Sequence, residues 1–314
     1  MNLHDCTLCP RNCHADRANG QTGYCGETDQ IRAARAALHM WEEPCISGQA
    51  GSGTVFFSGC NMGCVFCQNH TISKGTTGKR ISPERLGDIF LELQAQNACN
   101  INLVTPAHFI PQIKKALEYA KTSGLSIPVV YNTSSYEKAD TLKELDGLID
   151  IYLPDLKYIS PALSKKYSFA EDYFIYASSA IQEMVRQAGP PVFAPQPLSE
   201  TESGEDDYSG PLMKKGVIVR HLMLPGCMED SRKVLEYLYS TYKNDIYVSI
   251  MNQYTPIPSY LDAQAYPELN RTVSPKEYDK LTDYALRIGI ENGFIQEGTT
   301  CLESFIPLFD CSGI

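Results

Sequence analysis

The stretch Val55-Phe56-Phe57-Ser58-Gly59-Cys60-Asn61-Met62-Gly63-Cys64-Val65-Phe66-Cys67 runs from a short apolar segment through a Ser-Gly turn into three thiols spaced x3 and then x2. Three ligands, rather than four, is what matters. A 4Fe-4S cluster has four irons and each needs a ligand, so a three-cysteine loop leaves one iron open. An open metal position points to chemistry and a closed one to structure. Gly59 and Gly63 allow the turns a loop needs to wrap thiolates around a cuboidal cluster, and Phe66 puts an aromatic face beside the third ligand. Two plainer readings compete: buried free cysteines in a strand-loop, and a three-ligand zinc site.

Outward from this loop, short apolar runs alternate with helical patterns. Strands are expected at Thr54 to Ser58, Ile101 to Thr105, Pro128 to Asn132, Ile149 to Leu153, Val217 to Leu224 and Ile246 to Met251. Their continuous hydrophobicity suits strands covered on both faces. Ser82-Pro83 reads as an N-cap followed by proline in the first turn, and a helix from about Phe109 stops at Ser123-Gly124. Ser134-Ser135-Tyr136-Glu137 fits a capping box opening a further helix, and Tyr278 to Gly293 gives a late one. The fold class is therefore α/β, a parallel sheet with crossover helices, either open or partly closed as a barrel. In such folds the site lies at the carboxyl ends of the strands, where the Cys60 loop falls.

Two segments stand outside this alternation. Residues 1–50 are polar and cysteine-rich, a small metal-stapled module ahead of a 51–314 core. Cys6, Cys9, Cys13 and Cys25 supply four thiols with turn-forming Pro10, Gly20, Gly23 and Gly26. Four ligands close a site, either a structural zinc or a second, fully ligated 4Fe-4S cluster. The stretch Pro195 to Pro211 is acidic, lacks a hydrophobic pattern and reads as a loop. Cys45, Cys99, Cys227, Cys301 and Cys311 are isolated, and Cys301 and Cys311 are candidates to meet in space.

Composition bounds the rest. The 314 residues are 43% hydrophobic, enough for a sizeable core, and no apolar run approaches the length that crosses a bilayer. Twelve cysteines, seven of them in two tight clusters, with no secretory pattern at the start, suit metal ligation in a reducing cytoplasm better than disulfides. A net charge of -10 without a basic cluster argues against nucleic acid.

At Gly59 to Asn69 the chain resembles the radical S-adenosylmethionine (SAM) superfamily. Asn102-Leu103-Val104-Thr105-Pro106, Val130-Tyr131-Asn132-Thr133, Tyr152-Leu153-Pro154-Asp155-Leu156-Lys157-Tyr158, Val219 to Gly226 and Ser249 to Pro256 are similar to an uncharacterised branch related to pyruvate formate-lyase activating enzymes. The resemblance implies a partial (β/α)6 TIM-like barrel. It also implies that Cys60, Cys64 and Cys67 hold a 4Fe-4S cluster whose open iron is chelated by SAM. An electron from the cluster then yields methionine and a 5'-deoxyadenosyl radical.

By the same resemblance Phe66 lies near the adenine, Asp155 and Lys157 meet the amino acid end of SAM, Asn132 and Thr133 lie near that end, and Arg220 lies near the ribose or carboxylate. A structural ion pair is the plainer reading of the charged residues. Arg220 and His221 are neighbours on a strand, so at most one faces the interior. Two departures stand out. Activating enzymes carry Asp-Thr where this chain has Asn132-Thr133, and Gly-Gly-Glu-Pro where it has Leu103-Val104-Thr105-Pro106, leaving Thr105 or backbone carbonyls to accept from the SAM ammonium.

The expected function is hydrogen abstraction by a SAM-derived radical, with a glycyl radical enzyme as protein substrate and a flavodoxin- or ferredoxin-type electron donor. The alternatives are radical modification of a small molecule or peptide, and a non-catalytic iron-sulfur redox or sensor protein.

Overall fold

The computed structural model describes residues 1–195, 208, 210–295 and 307–314. Its strands are β1 (Ile31–His39), β2 (Ser52–Phe57), β3 (Lys79–Ile81), β4 (Ile101–Val104), β5 (Val129–Thr133), β6 (Ile151–Pro154), β7 (Val192–Phe193), β8 (Met213–Leu222), β9 (Tyr247–Met251) and β10 (Gly293–Ile295). All six expected strands are present, with ends shifted by a few residues. They lie in the order β10-β9-β8-β6-β5-β4-β2-β1-β3, with β7 on β8. Along the path β2-β4-β5-β6-β8-β9-β10 each new strand adds to the same edge and pairs in parallel, while β3 and β7 pair antiparallel with β1 and β8.

That order decides the architecture. A doubly wound sheet reverses direction and places helices on both faces, whereas a sheet that always advances keeps its right-handed crossovers on one face. The other face becomes a concave interior, as in a TIM barrel. Among the described residues the ends do not pair with each other, so the barrel is partial.

Alternation along the strands separates the faces. Val55, Phe57, Leu103, Tyr131, Tyr152, Val217, Val219, Val248 and Ile250 pack in the large core under the helices. Val130, Ile151, Leu153 and Ile218 form a second core with Cys45, Ile46 and Met213. Cys45 and Ile46 belong to the single-turn helix Pro44–Ser47, so the chain after β1 fills the concave face from within. Residues two further along the same strands, Asn132, Asp155 and Arg220, occupy the next layer of that face.

Three helices open alike. Ser82, Ser160 and Ser274 each accept a backbone N–H with the proline that follows in the first turn, and Ser274 forms a full capping box with Glu277. The capping box expected at Ser134 to Glu137 is absent. The nearby helix is a single turn, Ala139–Leu142, and Glu137 is buried as acceptor for the hydroxyls of Tyr131 and Thr133. Those hydroxyls lie on the helix-facing side of β5, where they need an internal partner.

Strand β1 pairs antiparallel with β2 across the boundary at residue 50 expected from sequence. The C-terminal residues join its other edge, where Cys311 donates to Ala34 and Ala36 donates to Ser312. Cys301 and most of the acidic Pro195 to Pro211 stretch lie outside the described residues.

Candidate functional site

Cys60, Cys64 and Cys67 lie on the loop leaving the carboxyl end of β2, pinned from several sides. Val65 donates to the Tyr167 carbonyl at 2.9 Å, and the Tyr260 hydroxyl donates to the Cys64 carbonyl at 3.1 Å. Donors also reach the sulfurs: the Met62 N–H lies 3.4 Å from Cys60 Sγ and the Ser168 hydroxyl 3.1 Å from Cys64 Sγ. Such donors orient and stabilise metal-bound thiolates. Burial, then the neighbouring Cys64, pushes the Cys60 thiol up to about 12, and Cys67 is raised by burial and the other two. Clustered cysteine side chains become thiolates when a metal compensates them, so the donor set fits an iron-sulfur cluster.

Next to the loop lies a polar layer built by β4, β5, β6 and β8. Asp155 and Arg220 face each other in an isolated parallel bridge where β6 and β8 end their pairing. Asp155 binds Lys157 Nζ at 2.5 Å through Oδ2 and Arg220 Nε at 2.9 Å through Oδ1. Arg220 also donates to Asn132 Oδ1 at 2.7 Å. Burial opposes the Asp155 carboxylate, but Lys157 and Arg220 outweigh it and hold its pKa below the usual range. Burial likewise opposes the Lys157 ammonium, and Asp155 and Cys64 overcome it.

Two further members were missed in the sequence reading. Glu42 and Glu43 follow β1 and enter the concave face from the opposite side. Glu42 accepts from Asn102 Nδ2 at 2.9 Å and approaches Arg220 Nη1 at 3.4 Å and Asn132 Nδ2 at 3.5 Å. Burial raises both glutamates, against the pull of Arg220. Buried Glu43 leaves Oε2 without a hydrogen-bond partner, as Asn102 leaves its Oδ1. The only hint was two adjacent acids before Pro44, in a segment whose polarity reads as surface.

The remaining candidates divide. Phe66 is half-buried, edge-on to Tyr254 at 6.2 Å. Thr105 follows β4 at φ 60°, an outlier for a β-branched residue, and its N–H donates to the Asn132 carbonyl at 2.9 Å. Thr133 points the other way from Asn132, its hydroxyl on Glu137, so the structure does not bring that hydroxyl to the polar layer. His221 also faces the helices, with Nδ1 2.8 Å from the Leu156 carbonyl, and burial pushes it down to about 4, keeping it neutral.

Cys6, Cys9, Cys13 and Cys25 lie in a module capped onto this rim. Lys138 donates to the Thr7 carbonyl at 2.7 Å, and Thr141 donates to the Leu8 carbonyl at 2.9 Å. Among the described residues no three His, Cys, Asp or Glu side chains close around a single metal ion, and no helix is long and apolar enough to cross a membrane.

Comparison with known proteins bears on the same elements. Residues 54–180 match the model of the Radical SAM superfamily. The uncharacterized protein MJ0674 of Methanocaldococcus jannaschii is 26% identical over 297 residues, covering 91% of this chain and 76% of that protein. Among solved structures, SuiB of Streptococcus suis bound to S-adenosylmethionine superposes with a TM-score of 0.51 at 12% identity, covering 76% of this chain and 48% of that one. HydG, a maturase of the FeFe-hydrogenase, gives 0.50 at 14% identity over 79% of this chain and 52% of that one. This chain spans about half the length of these structures, and the likeness is one of fold. With a three-cysteine loop at the end of the first barrel strand and a parallel sheet that advances in one direction, residues 54–180 form a domain of the radical SAM superfamily, a family that implies a 4Fe-4S cluster and S-adenosylmethionine.

Proposed function

We propose that this protein cleaves SAM reductively and uses the resulting radical to abstract hydrogen from a protein partner, in the manner of a glycyl radical enzyme activase. The observation that carries the SAM half is the juxtaposition of the triad loop with Asp155, Lys157 and Arg220 on one concave rim. When bound, the cluster and SAM supply the electron and the carbon radical.

The chain's own residues bind and orient. Lys157 and Arg220 offer charged N–H donors suited to a carboxylate, and Asp155 holds both cations in place. Glu42 brings a carboxylate to the face where Leu103 to Pro106 brings none, and Asn102 orients it. Arg220 spans Asp155 and Asn132, compensating the carboxylate of the first and donating to the amide oxygen of the second. The apolar layer of Val130, Ile151, Leu153 and Ile218 beneath excludes water.

The test is anaerobic incubation of reconstituted, reduced protein with SAM. 5'-Deoxyadenosine and methionine should form, and Cys64→Ala should abolish both; undiminished turnover in that variant overturns the reading. A glycyl radical signal appearing in a co-encoded partner after mixing supports the activase step.

A second reading, modification of a peptide or small molecule, draws on SuiB, whose fold this chain shares and which has been seen bound to the precursor peptide SuiA. An isolated modified product would favour it. A non-catalytic iron-sulfur protein has no reason to bind SAM, and calorimetry separates that case. The electron donor is proposed to be a flavodoxin- or ferredoxin-type protein, and the compartment the cytoplasm.

A further inference from the structure

The cysteine-rich N-terminal segment lies directly against the triad loop. A side chain built on Gly59, the residue before Cys60, would put its Cβ 2.6 Å from the Cys25 carbonyl oxygen, so the two backbones are in contact. Arg11, between Cys9 and Cys13, donates through Nε to the Asn61 carbonyl at 2.8 Å. Arg11 and the Cys25 carbonyl therefore grip the residues on either side of Cys60.

Within the segment the four thiols share one locus. A Cβ on Gly23 would stand 2.7 Å from Cys13 Sγ and 3.8 Å from Cys25 Sγ. Cys6 and Cys9 are near enough to Cys25 for their charges to act on one another. Beside them is an independent sign of negative charge. Arg17 is 1% exposed, and its Nη1 lies 3.7 Å from Cys6 Sγ while its other donors meet the carbonyls of Glu27 and Thr28. No carboxylate among the described residues comes within ion-pair distance of it. A buried guanidinium needs a counter-ion, and the group it touches is a thiol that metal binding would turn into a thiolate.

The two metals ask for different spacings of their sulfurs. Zinc binds four sulfurs at about 2.3 Å, which places them within roughly 4 Å of one another. A four-iron cube holds its thiolates at separate corners, farther apart. The thiols here gather without closing around one ion, as do the triad's.

We propose that Cys6, Cys9, Cys13 and Cys25 hold a second, fully ligated 4Fe-4S cluster, docked on the triad loop as the point where electrons enter the protein. Cys13 is exposed, so the site lies between solvent and Cys60. A one-electron protein donor of the flavin or iron-sulfur class loses one electron, and the module gains it and passes it inward, with no bond made or broken and no proton moved. The entry role rests on the proposed function; the metal assignment does not.

Iron, sulfide and zinc are measured on anaerobically purified wild type and on the Cys60→Ala/Cys64→Ala/Cys67→Ala variant. The expected result is about eight irons in the wild type and about four irons with four sulfides in the variant, without zinc. One zinc per chain in either protein overturns the assignment, as does iron falling to zero in a folded variant. If the variant does not fold, the wild-type count alone decides, about eight irons against about four with a zinc. Equal iron in both proteins, about four, would sink the triad reading and leave the second site standing. Electron paramagnetic resonance of fully reduced wild type should show signals broadened by interaction between two centres and absent from the variant. A spectrum that is the plain sum of two isolated centres overturns the entry role.

Discussion

Arg220 directs its guanidinium Nε at Oδ1 of Asp155, 2.9 Å away, from the strand that pairs beside it. Because Asp155 also holds Lys157, one carboxylate compensates two buried cations at the rim. Removing one partner of a buried pair leaves the other uncompensated, at a cost of about 3–5 kcal/mol. Asp155→Asn should therefore lower stability by an amount of that order and weaken SAM binding by about tenfold or more, one decade being about 1.4 kcal/mol. Chemical denaturation and calorimetry measure the two. A variant of wild-type stability and SAM affinity would mean that the trio is neither structural nor a ligand site.

Glu42 gives a sharper test of the concave face, because two substitutions separate charge from hydrogen bonding. Glu42→Gln keeps an oxygen for Asn102 while removing a carboxylate whose ionisation burial already disfavours, so stability should change little. Glu42→Ala leaves the Asn102 amide and one Arg220 N–H without an acceptor, at about 1–3 kcal/mol. Thermal unfolding should rank wild type close to Gln and well above Ala. Equal losses in both would show that the carboxylate charge itself holds Arg220.

How much of this was legible follows from which physical signals are local. The six core strands announce themselves as apolar runs because both faces are covered, and the Ser-Pro helix start at Ser82 needs only neighbouring residues. Asp155, Lys157 and Arg220 were found because charges at the end of an apolar strand are conspicuous. Strand β1 was not, since Arg32 and Arg35 break its pattern, and Arg35 finds its partner far along the chain in Asp310 while Arg32 pairs with nearby Glu27. Glu42 and Glu43 were missed for the same reason: their burial depends on the barrel that closes around them. The false capping box at Ser134 reflects a competition that sequence does not reveal, between a helix N-terminus and two buried hydroxyls for one carboxylate.

That carboxylate, Glu137, makes the stability depend on pH. Burial, offset in part by the Thr133 and Tyr131 hydroxyls, pushes it up to about 7. An acid whose pKa is higher folded than unfolded favours the native state at low pH, and that contribution fades as pH rises from about 4.5 through about 7. The swing is up to about 3 kcal/mol from this group. Glu27, pushed up to about 7 by burial against Arg32, adds to the same window. Glu137→Gln should flatten the profile between pH 5 and 8 and leave the Glu27 share. Denaturation midpoints at the two pH values check this, and an unchanged slope would assign the whole effect elsewhere.

The contact between Gly59 and Cys25 can be isolated by comparing two glycines with nearly the same backbone. Gly59 and Gly147 have φ values of 82° and 78°, but a Cβ at Gly147 meets nothing within 4 Å. Alanine at either position bears the left-handed backbone cost, about 1–2 kcal/mol. At Gly59 it also drives into the Cys25 carbonyl, adding about 1–3 kcal/mol of overpacking or forcing the module off the loop. Gly59→Ala should then be the less stable of the two and should lose iron, while Gly147→Ala keeps its full metal content. The arrangement leaves no easy relief, because the second-nearest atom at Gly59 is Glu27 Cγ at 2.7 Å and the third is His108 Nε2 at 3.1 Å. If the two variants match in stability and iron, glycine at 59 serves only the turn, and the N-terminal module is not seated on the triad loop.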